Sequence, residues 1–283
     1  MSFKSGFVTI IGNPNVGKSS LFNAILNYEL SVVTHKSQTT RDSIKGILTT
    51  DNFQIVLSDT PGHVESSYLL HDKMNKNIYS SLEGSDIIIY VTDVKEKVVN
   101  QKLIDAVINF QIPIIYLVNK ADLDKKYKLL KNDLYKDMFL VSSNDKNDID
   151  KILTTIIKNL PEHPAFYSKE ELTDKNERFI VSEIVRGEIF KTFSEEVPYS
   201  TYVEINTFRN EENILRIEGY IYVETESQKS ILLGKKGKKI RDLSKKSRML
   251  IEEIYNKQVY INFTIKVLKW RNDQRFIQSK FKK

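Results

Sequence analysis

The sequence predicts an α/β fold followed by a smaller α+β unit. Over residues 7–160, short apolar runs alternate with helix-length segments. This is the pattern of a mostly parallel sheet with helices on both faces. Beyond residue 175 the order changes to helix, two strands, two helices and a strand. The chain has 283 residues, enough for two ordinary domains.

The elements follow in order. Phe7 to Ile11 is a short apolar run rich in β-branched residues, and residues 18–27 have helical length. Residues 44–49 and 53–57 form a strand pair around Asp51-Asn52. The runs DIIIYV (86–91) and PIIYLV (113–118) read as strands buried on both faces, and 138–141 as a shorter one. Helices are expected near 68–83, 99–109 and 148–159. Residues 161–174, with two prolines and mixed charge, read as a linker. The second unit, 175–283, then reads as helix 175–193, strands 199–206 and 214–223, and helix 226–233. A Gly-Lys-Lys-Gly loop leads into a helix to about 256, a strand over 258–268 and a C-terminal helix. No internal repeat is visible.

Composition narrows the class. An apolar share of 40% is ordinary for a folded globular protein and argues against disorder. With no cysteine there is neither a disulfide framework nor a thiolate metal site, and four scattered histidines argue against zinc. No apolar run approaches the ~20 residues needed to span a bilayer. The start MSFKSGFVTIIG lacks the long apolar stretch of a signal peptide, so a cytoplasmic protein is expected. The net charge of +6 suggests an anionic partner only if the charge is concentrated.

Directly after the first strand, Gly12-Asn13-Pro14-Asn15-Val16-Gly17-Lys18-Ser19 fits G-x-x-x-x-G-K-[ST]. The strand–loop–helix context is the one the motif requires. Glycines let backbone N–H groups approach phosphate oxygens, and the helix N-terminus adds positive potential. Lys18 is expected on the β- and γ-phosphates, Ser19 on Mg²⁺, and Ser20 beside them. This loop alone does not separate GTP from ATP. Asn119-Lys120-Ala121-Asp122, after PIIYLV, does. A carboxylate at Asp122 accepts from the N1–H and the exocyclic amine of guanine together, a pair that adenine lacks. Asn119 and Lys120 would brace the base and the loop.

Asp59-Thr60-Pro61-Gly62 ends the third strand. Asp59 is placed to hold Mg²⁺ through a water. Gly62, with no side chain, can turn its N–H to a γ-phosphate. In Gln38-Thr39-Thr40-Arg41, Thr40 is the expected switch threonine for Mg²⁺, with Thr39 second. Ser142-Ser143 resembles the S-A-x element that contacts the guanine oxygen through backbone, with serine in place of alanine. Together these elements fall, in order, at the strand ends where a parallel sheet binds nucleotide.

These motifs, with Arg178-Phe179, Glu183-Ile184-Val185-Arg186, Glu196-Val197-Pro198-Tyr199-Ser200 and Leu233–Ile240, resemble the Era family of bacterial GTPases along nearly the whole chain. The resemblance implies a G domain over 1–160 and a type II KH domain over 175–283. It also implies GTP hydrolysis, expected to be slow because no arginine is clearly assigned as a finger, binding to the single-stranded 3′ end of 16S rRNA, and a role in 30S ribosomal subunit maturation. Peripheral association with the inner membrane is a further implication, and a monomer is expected. Residue chemistry supports the RNA reading separately. A Gly-x-x-Gly loop lets backbone approach a nucleic-acid backbone. Here Gly234, Lys235, Lys236, Gly237, Lys238, Lys239 and Arg241 stand in a run where Asp242 is the only acid between 229 and 248.

One departure concerns catalysis. Era-type proteins usually have an apolar residue after D-T-P-G and then histidine, whereas here His63 comes directly. His63 could orient the attacking water. The resemblance also implies that Asn15 helps to bind K⁺, which would stand in for an arginine finger. Two other readings stay open. One is an RNA-binding assembly scaffold with structural nucleotide. The other is a related GTPase acting on tRNA modification or the large subunit.

Overall fold

In the computed structural model, residues 2–34, 36, 39–63, 67–95, 101–108, 110–123 and 138–281 are described. The chain separates into two compact units. One comprises residues up to 66 and 71–174, and the other residues 67–70 and 175 onward.

The first unit is a six-stranded sheet. Its strands are β1 (Lys4–Gly12), β2 (Ile44–Thr49), β3 (Phe53–Asp59), β4 (Ile87–Asp93), β5 (Ile114–Asn119) and β6 (Phe139–Leu140). The spatial order is β2-β3-β1-β4-β5-β6. All neighbours are parallel except β2 and β3, which form an antiparallel hairpin. The helices are α1 (Lys18–Leu26), α2 (Leu69–Leu82), α3 (Gln101–Ile108) and α4 (Lys146–Asn159). α1 packs against α4. Ile78 and Leu82 of α2 and Leu103 and Val107 of α3 meet Ile88 and Tyr90 of β4. β4 is buried at every position, as its unbroken apolar run predicts. α4 starts where the Asp145 carboxylate accepts from the Asn147 N–H, an N-cap that sets its first residue.

The stretch 161–174, expected as a linker, is instead a strap on this first unit. Gln54 of β3 is fully buried. Its carbonyl oxygen accepts from the N–H groups of Phe166 (2.7 Å) and Tyr167 (3.0 Å), and its amide donates to the Tyr167 carbonyl (2.9 Å). Ile47 N–H donates to the Leu172 carbonyl at 2.9 Å, and the Thr173 hydroxyl to the Lys45 carbonyl at 2.7 Å. These last two bonds lie along β2, the edge strand. The Phe166 ring sits 4.6 Å from Phe7. An unpartnered β2 edge would leave its N–H groups open to other chains.

The second unit contains α5 (Glu177–Thr192), α6 (Val197–Ser200), β7 (Tyr202–Asn210), β8 (Ile214–Val223), α7 (Glu226–Leu233), α8 (Lys238–Tyr255), β9 (Gln258–Val267) and α9 (Gln274–Lys280). The sheet order is β7-β8-β9, with β8 antiparallel to β7 and parallel to β9. α5 packs on β7 and α8, and α8 on β9. Val181 and Ile189 of α5, Ile217 of β8, Leu232 of α7, and Leu243 and Ile251 of α8 belong to one buried core between the helices and the sheet. Asn176 caps α5, and Thr225 with Gln228 makes a reciprocal capping box on α7. One expectation is corrected: the strand predicted from 199 begins at Tyr202, because residues 197–200 form a helical turn opened by Pro198.

Trp270 closes this unit. It is fully buried, donates its indole N–H to the Ser200 carbonyl at 2.8 Å and packs near Tyr202 and Phe276. Trp270→Ala is expected to lower stability by about 3–5 kcal/mol through the cavity it leaves. Denaturant titration followed by circular dichroism would measure it, and a loss under about 1 kcal/mol would mean that the site collapses to fill the space.

Candidate functional site

The carboxyl edge of the first sheet carries a cleft of about 790 Å³. Its lining includes Pro14, Asn15, Val16, Gly17, Lys18, Ser19 and Ser20 from the first loop and helix. Thr39, Thr40, Gly62, Asn119, Lys120, Asp122 and Ser143 also line it, whereas the expected Asp59, Thr60, Pro61, His63 and Ser142 are not part of its wall. Gly12 and Asn13 stand at the base of the loop, where their carbonyls meet Lys18.

The loop's shape follows from its residues. Gly17 has φ 93°, and a Cβ there would lie 2.3 Å from the Asn119 amide nitrogen. Only glycine therefore fits between α1 and the end of β5. Asn15 also has positive φ, 66°, which asparagine tolerates better than most residues. Lys18 is buried, and its ammonium donates to the carbonyls of Gly12 (3.1 Å) and Asn13 (2.8 Å). Gly62 is buried against the loop: a Cβ there would come within 2.8 Å of the Pro14 Cα.

A cluster of hydroxyls surrounds Asp59. Its Oδ2 accepts from Ser19 (2.7 Å), Ser31 (2.7 Å) and Thr40 (3.3 Å), and the Ser19 and Thr40 hydroxyls are 3.0 Å apart. Its Oδ1 is buried with no hydrogen-bond partner. Burial pushes the Asp59 carboxyl upward, opposed by the Ser19 and Ser31 hydroxyls, the Lys18 charge and Thr40. Two hydroxyls and a carboxylate with a free oxygen are the donor set that a hard divalent cation such as Mg²⁺ accepts. Thr39 is drawn elsewhere, donating to the Lys36 carbonyl at 2.9 Å and lying 2.8 Å from the Thr34 hydroxyl. Of the two threonines, Thr40 is the one at Asp59. Gln38 lies outside the described residues. Thr60 is buried and bonds the Ile10 carbonyl at 2.7 Å; Pro61 is buried after it, and His63 is half-buried.

The base end is tied by register. Asp93 and Asn119 pair across β4 and β5 at the strand ends. Asn119 donates to the Val16 carbonyl at 3.0 Å and accepts from the Ser143 N–H at 3.1 Å. The Lys120 ammonium bridges the Asn15 carbonyl and Asp93, the latter at 2.7 Å. The Ser142 hydroxyl donates to Asp122 Oδ1 at 2.7 Å and so fixes the carboxylate. The Ser142 N–H is held by Asp148 at 3.0 Å. Sequence reasoning missed Ser31 and Asp93. Asp93 had a signal, an acid at the end of a buried strand; Ser31 had none.

In the second unit, Gly234 (φ 66°) precedes and Gly237 (φ 71°) ends a single 3₁₀ turn between α7 and α8. Lys235, Lys236 and Lys238 are exposed. Lys239 is also exposed but lies over the Phe193 ring at 5.6 Å. Arg241 turns back to donate to the Lys236 carbonyl at 3.1 Å, so it braces the loop. Beside the loop, α8 and the edge strand β9 enclose a groove of about 450 Å³. Arg241, Lys245 and Arg248 form one wall, and Tyr260, Ile261 and Phe263 the other. Tyr260, 43% exposed, was not foreseen. A groove with basic and aromatic walls suits unstacked bases.

A nucleotide cleft of this design, joined to a helix–Gly-x-x-Gly–helix unit, defines a P-loop GTPase with an appended KH domain. Family models agree: "50S ribosome-binding GTPase" matches residues 7–120 and "KH domain" residues 196–271. GTPase Era of Thermoanaerobacter sp. (strain X514) is 35% identical over 98% of this chain and 96% of its own length. GTPase Era of Clostridium botulinum (strain Loch Maree / Type A3) is 37% identical over 98% and 97%. The crystal structure of Era in complex with MgGDPNP and nucleotides 1506–1542 of 16S ribosomal RNA superposes with a TM-score of 0.92 at 31% identity, covering 98% of both chains. Aquifex aeolicus Era bound to GDP·AlF4⁻, as a point variant, gives 0.91 at 30%. The chain belongs to the Era family of GTPases.

Proposed function

We propose that this protein is a GTP-binding and GTP-hydrolysing switch that binds the 3′ end of 16S rRNA and assists 30S ribosomal subunit maturation. The observation that carries the nucleotide half is the Ser19–Thr40–Asp59 cluster beside the P-loop. Mg²⁺ would be held by Ser19, Thr40 and Asp59 and would neutralise charge on the β- and γ-phosphates. Lys18 supplies a second positive charge, and the Gly62 N–H a contact to the γ-phosphate. Asp122 reads guanine, with Ser142, Ser143, Asn119 and Lys120 holding the base end. Asn15, exposed at the cleft, is assigned to K⁺, and His63 to the attacking water.

The RNA half rests on the exposed Lys235, Lys236 and Lys238 at the Gly-x-x-Gly turn and on the groove beside it. The G domain is assigned to 1–160, with the strap 161–174 attached, and the KH domain to 175–283. The protein acts as a cytoplasmic monomer. Among the described residues no helix is long and apolar enough to cross a membrane, and association with the inner membrane is assigned as peripheral.

The test is binding of a single-stranded oligonucleotide matching the 16S rRNA 3′ end. Gly234→Asp places a carboxylate where phosphate is expected and should weaken binding at least about tenfold. Nucleotide affinity should not change. Fluorescence anisotropy at fixed salt measures both. Undiminished RNA binding by this variant would remove the assignment of the loop.

A further inference from the structure

Ser31 belongs to no motif, yet its hydroxyl is one of three that converge on Asp59. It is buried and contributes nothing to the wall of the nucleotide cleft, unlike Val32, Val33 and Thr34 directly after it. Its bond to Asp59 Oδ2, at 2.7 Å, matches that of Ser19. A backbone clamp holds it there. Asn23 of α1 accepts from the N–H groups of Leu30 (3.1 Å) and Ser31 (2.9 Å) and donates to the Ser31 carbonyl at 2.8 Å. One asparagine therefore satisfies three backbone groups of the segment that leaves α1.

From this geometry we infer that Ser31, clamped by Asn23, is a positioning residue for the metal site. It fixes the Asp59 carboxylate by its bond to Oδ2, leaving Oδ1 as the oxygen without a hydrogen bond. The inference rests on the Mg²⁺ reading given above. The physical logic is a division of labour among the three hydroxyls. Ser19 and Thr40 line the nucleotide cleft, where both are assigned to the metal, as well as bonding Asp59. Ser31 does not line the cleft, so its hydroxyl serves Asp59 alone. The same bond ties the root of the segment leading to Thr40 to the end of β3.

The experiment uses the full chain loaded with fluorescent GDP, with release followed while Mg²⁺ is titrated and again in excess chelator. Ser31→Ala should raise the Mg²⁺ concentration for half-maximal retention about tenfold, the worth of one hydrogen bond to a buried charge. Release in chelator should match the unaltered protein, because Ser31 is not part of the cleft wall. Asn23→Ala should shift the midpoint in the same direction, and the double variant no further than the larger single shift, since both act through one bond. An unchanged midpoint in Ser31→Ala would overturn the inference. So would release accelerated equally in chelator and in saturating Mg²⁺, which would mark a merely structural role. If the unaltered protein released nucleotide at the same rate with and without Mg²⁺, the metal reading itself would fall, and this inference with it.

Discussion

Asp122→Asn is expected to weaken GTP binding about a thousandfold or more while leaving the fold intact. A site built to accept two N–H donors loses far more on mismatch than an apolar pocket loses on a missing methylene. The Asp122 carboxylate is held by Ser142 at one oxygen, so its remaining lone pairs are fixed for the base. An amide there would present N–H groups to the two donors of guanine. Xanthine, which has a carbonyl in place of the exocyclic amine, complements the amide, so xanthosine triphosphate should now bind. Calorimetric titration with both nucleotides decides the matter. Unaltered GTP affinity would mean that the base is read elsewhere.

Lys18→Ala is expected to slow hydrolysis by roughly a hundred- to a thousandfold, the usual effect of removing one preorganised charge-stabilising group. Lys18 rests on two loop carbonyls, which hold its ammonium against the phosphate loop. When it is lost, stabilisation of the charge that builds toward the leaving β-phosphate goes with it. GTP should also lose more affinity than GDP, because only the triphosphate offers γ-oxygens. Phosphate release in a single turnover measures the first effect and competition binding the second. A rate within about tenfold of the unaltered protein would move the main charge stabilisation to another group.

The nucleotide site was largely legible because its chemistry is local. A loop of eight residues, Gly12 to Ser19, makes the phosphate cradle, and each remaining motif sits near the end of a strand that announces itself by its apolar run. Parallel strands bring those ends together, so the order of motifs along the chain is enough to assemble the cleft. What escaped notice depends on contacts distant in sequence. Ser31 gains its meaning from Asp59, and Asp93 from Lys120. The last two residues of the turn, 199 and 200, read as strand from the sequence, but Trp270 fixes the Ser200 carbonyl from seventy positions away. Arg241 counts as one more phosphate-facing cation in the sequence, and only its bond to Lys236 shows it bracing the loop. Gln54 was the one available hint to the strap: an amide inside a buried strand needs partners, and few neighbours in sequence supply them.

The strap bears on how such a chain can be divided or recombined. Its backbone completes the edge of the first sheet, so the heritable module ends with Asp174 and not with the last helix at Asn159. A recombination event that joined a new partner at 160 would transfer a sheet with a raw margin, prone to self-association. A joint after 174 would carry the selvedge along with the cloth. The segment with the composition of a spacer is thus part of what makes the first unit portable.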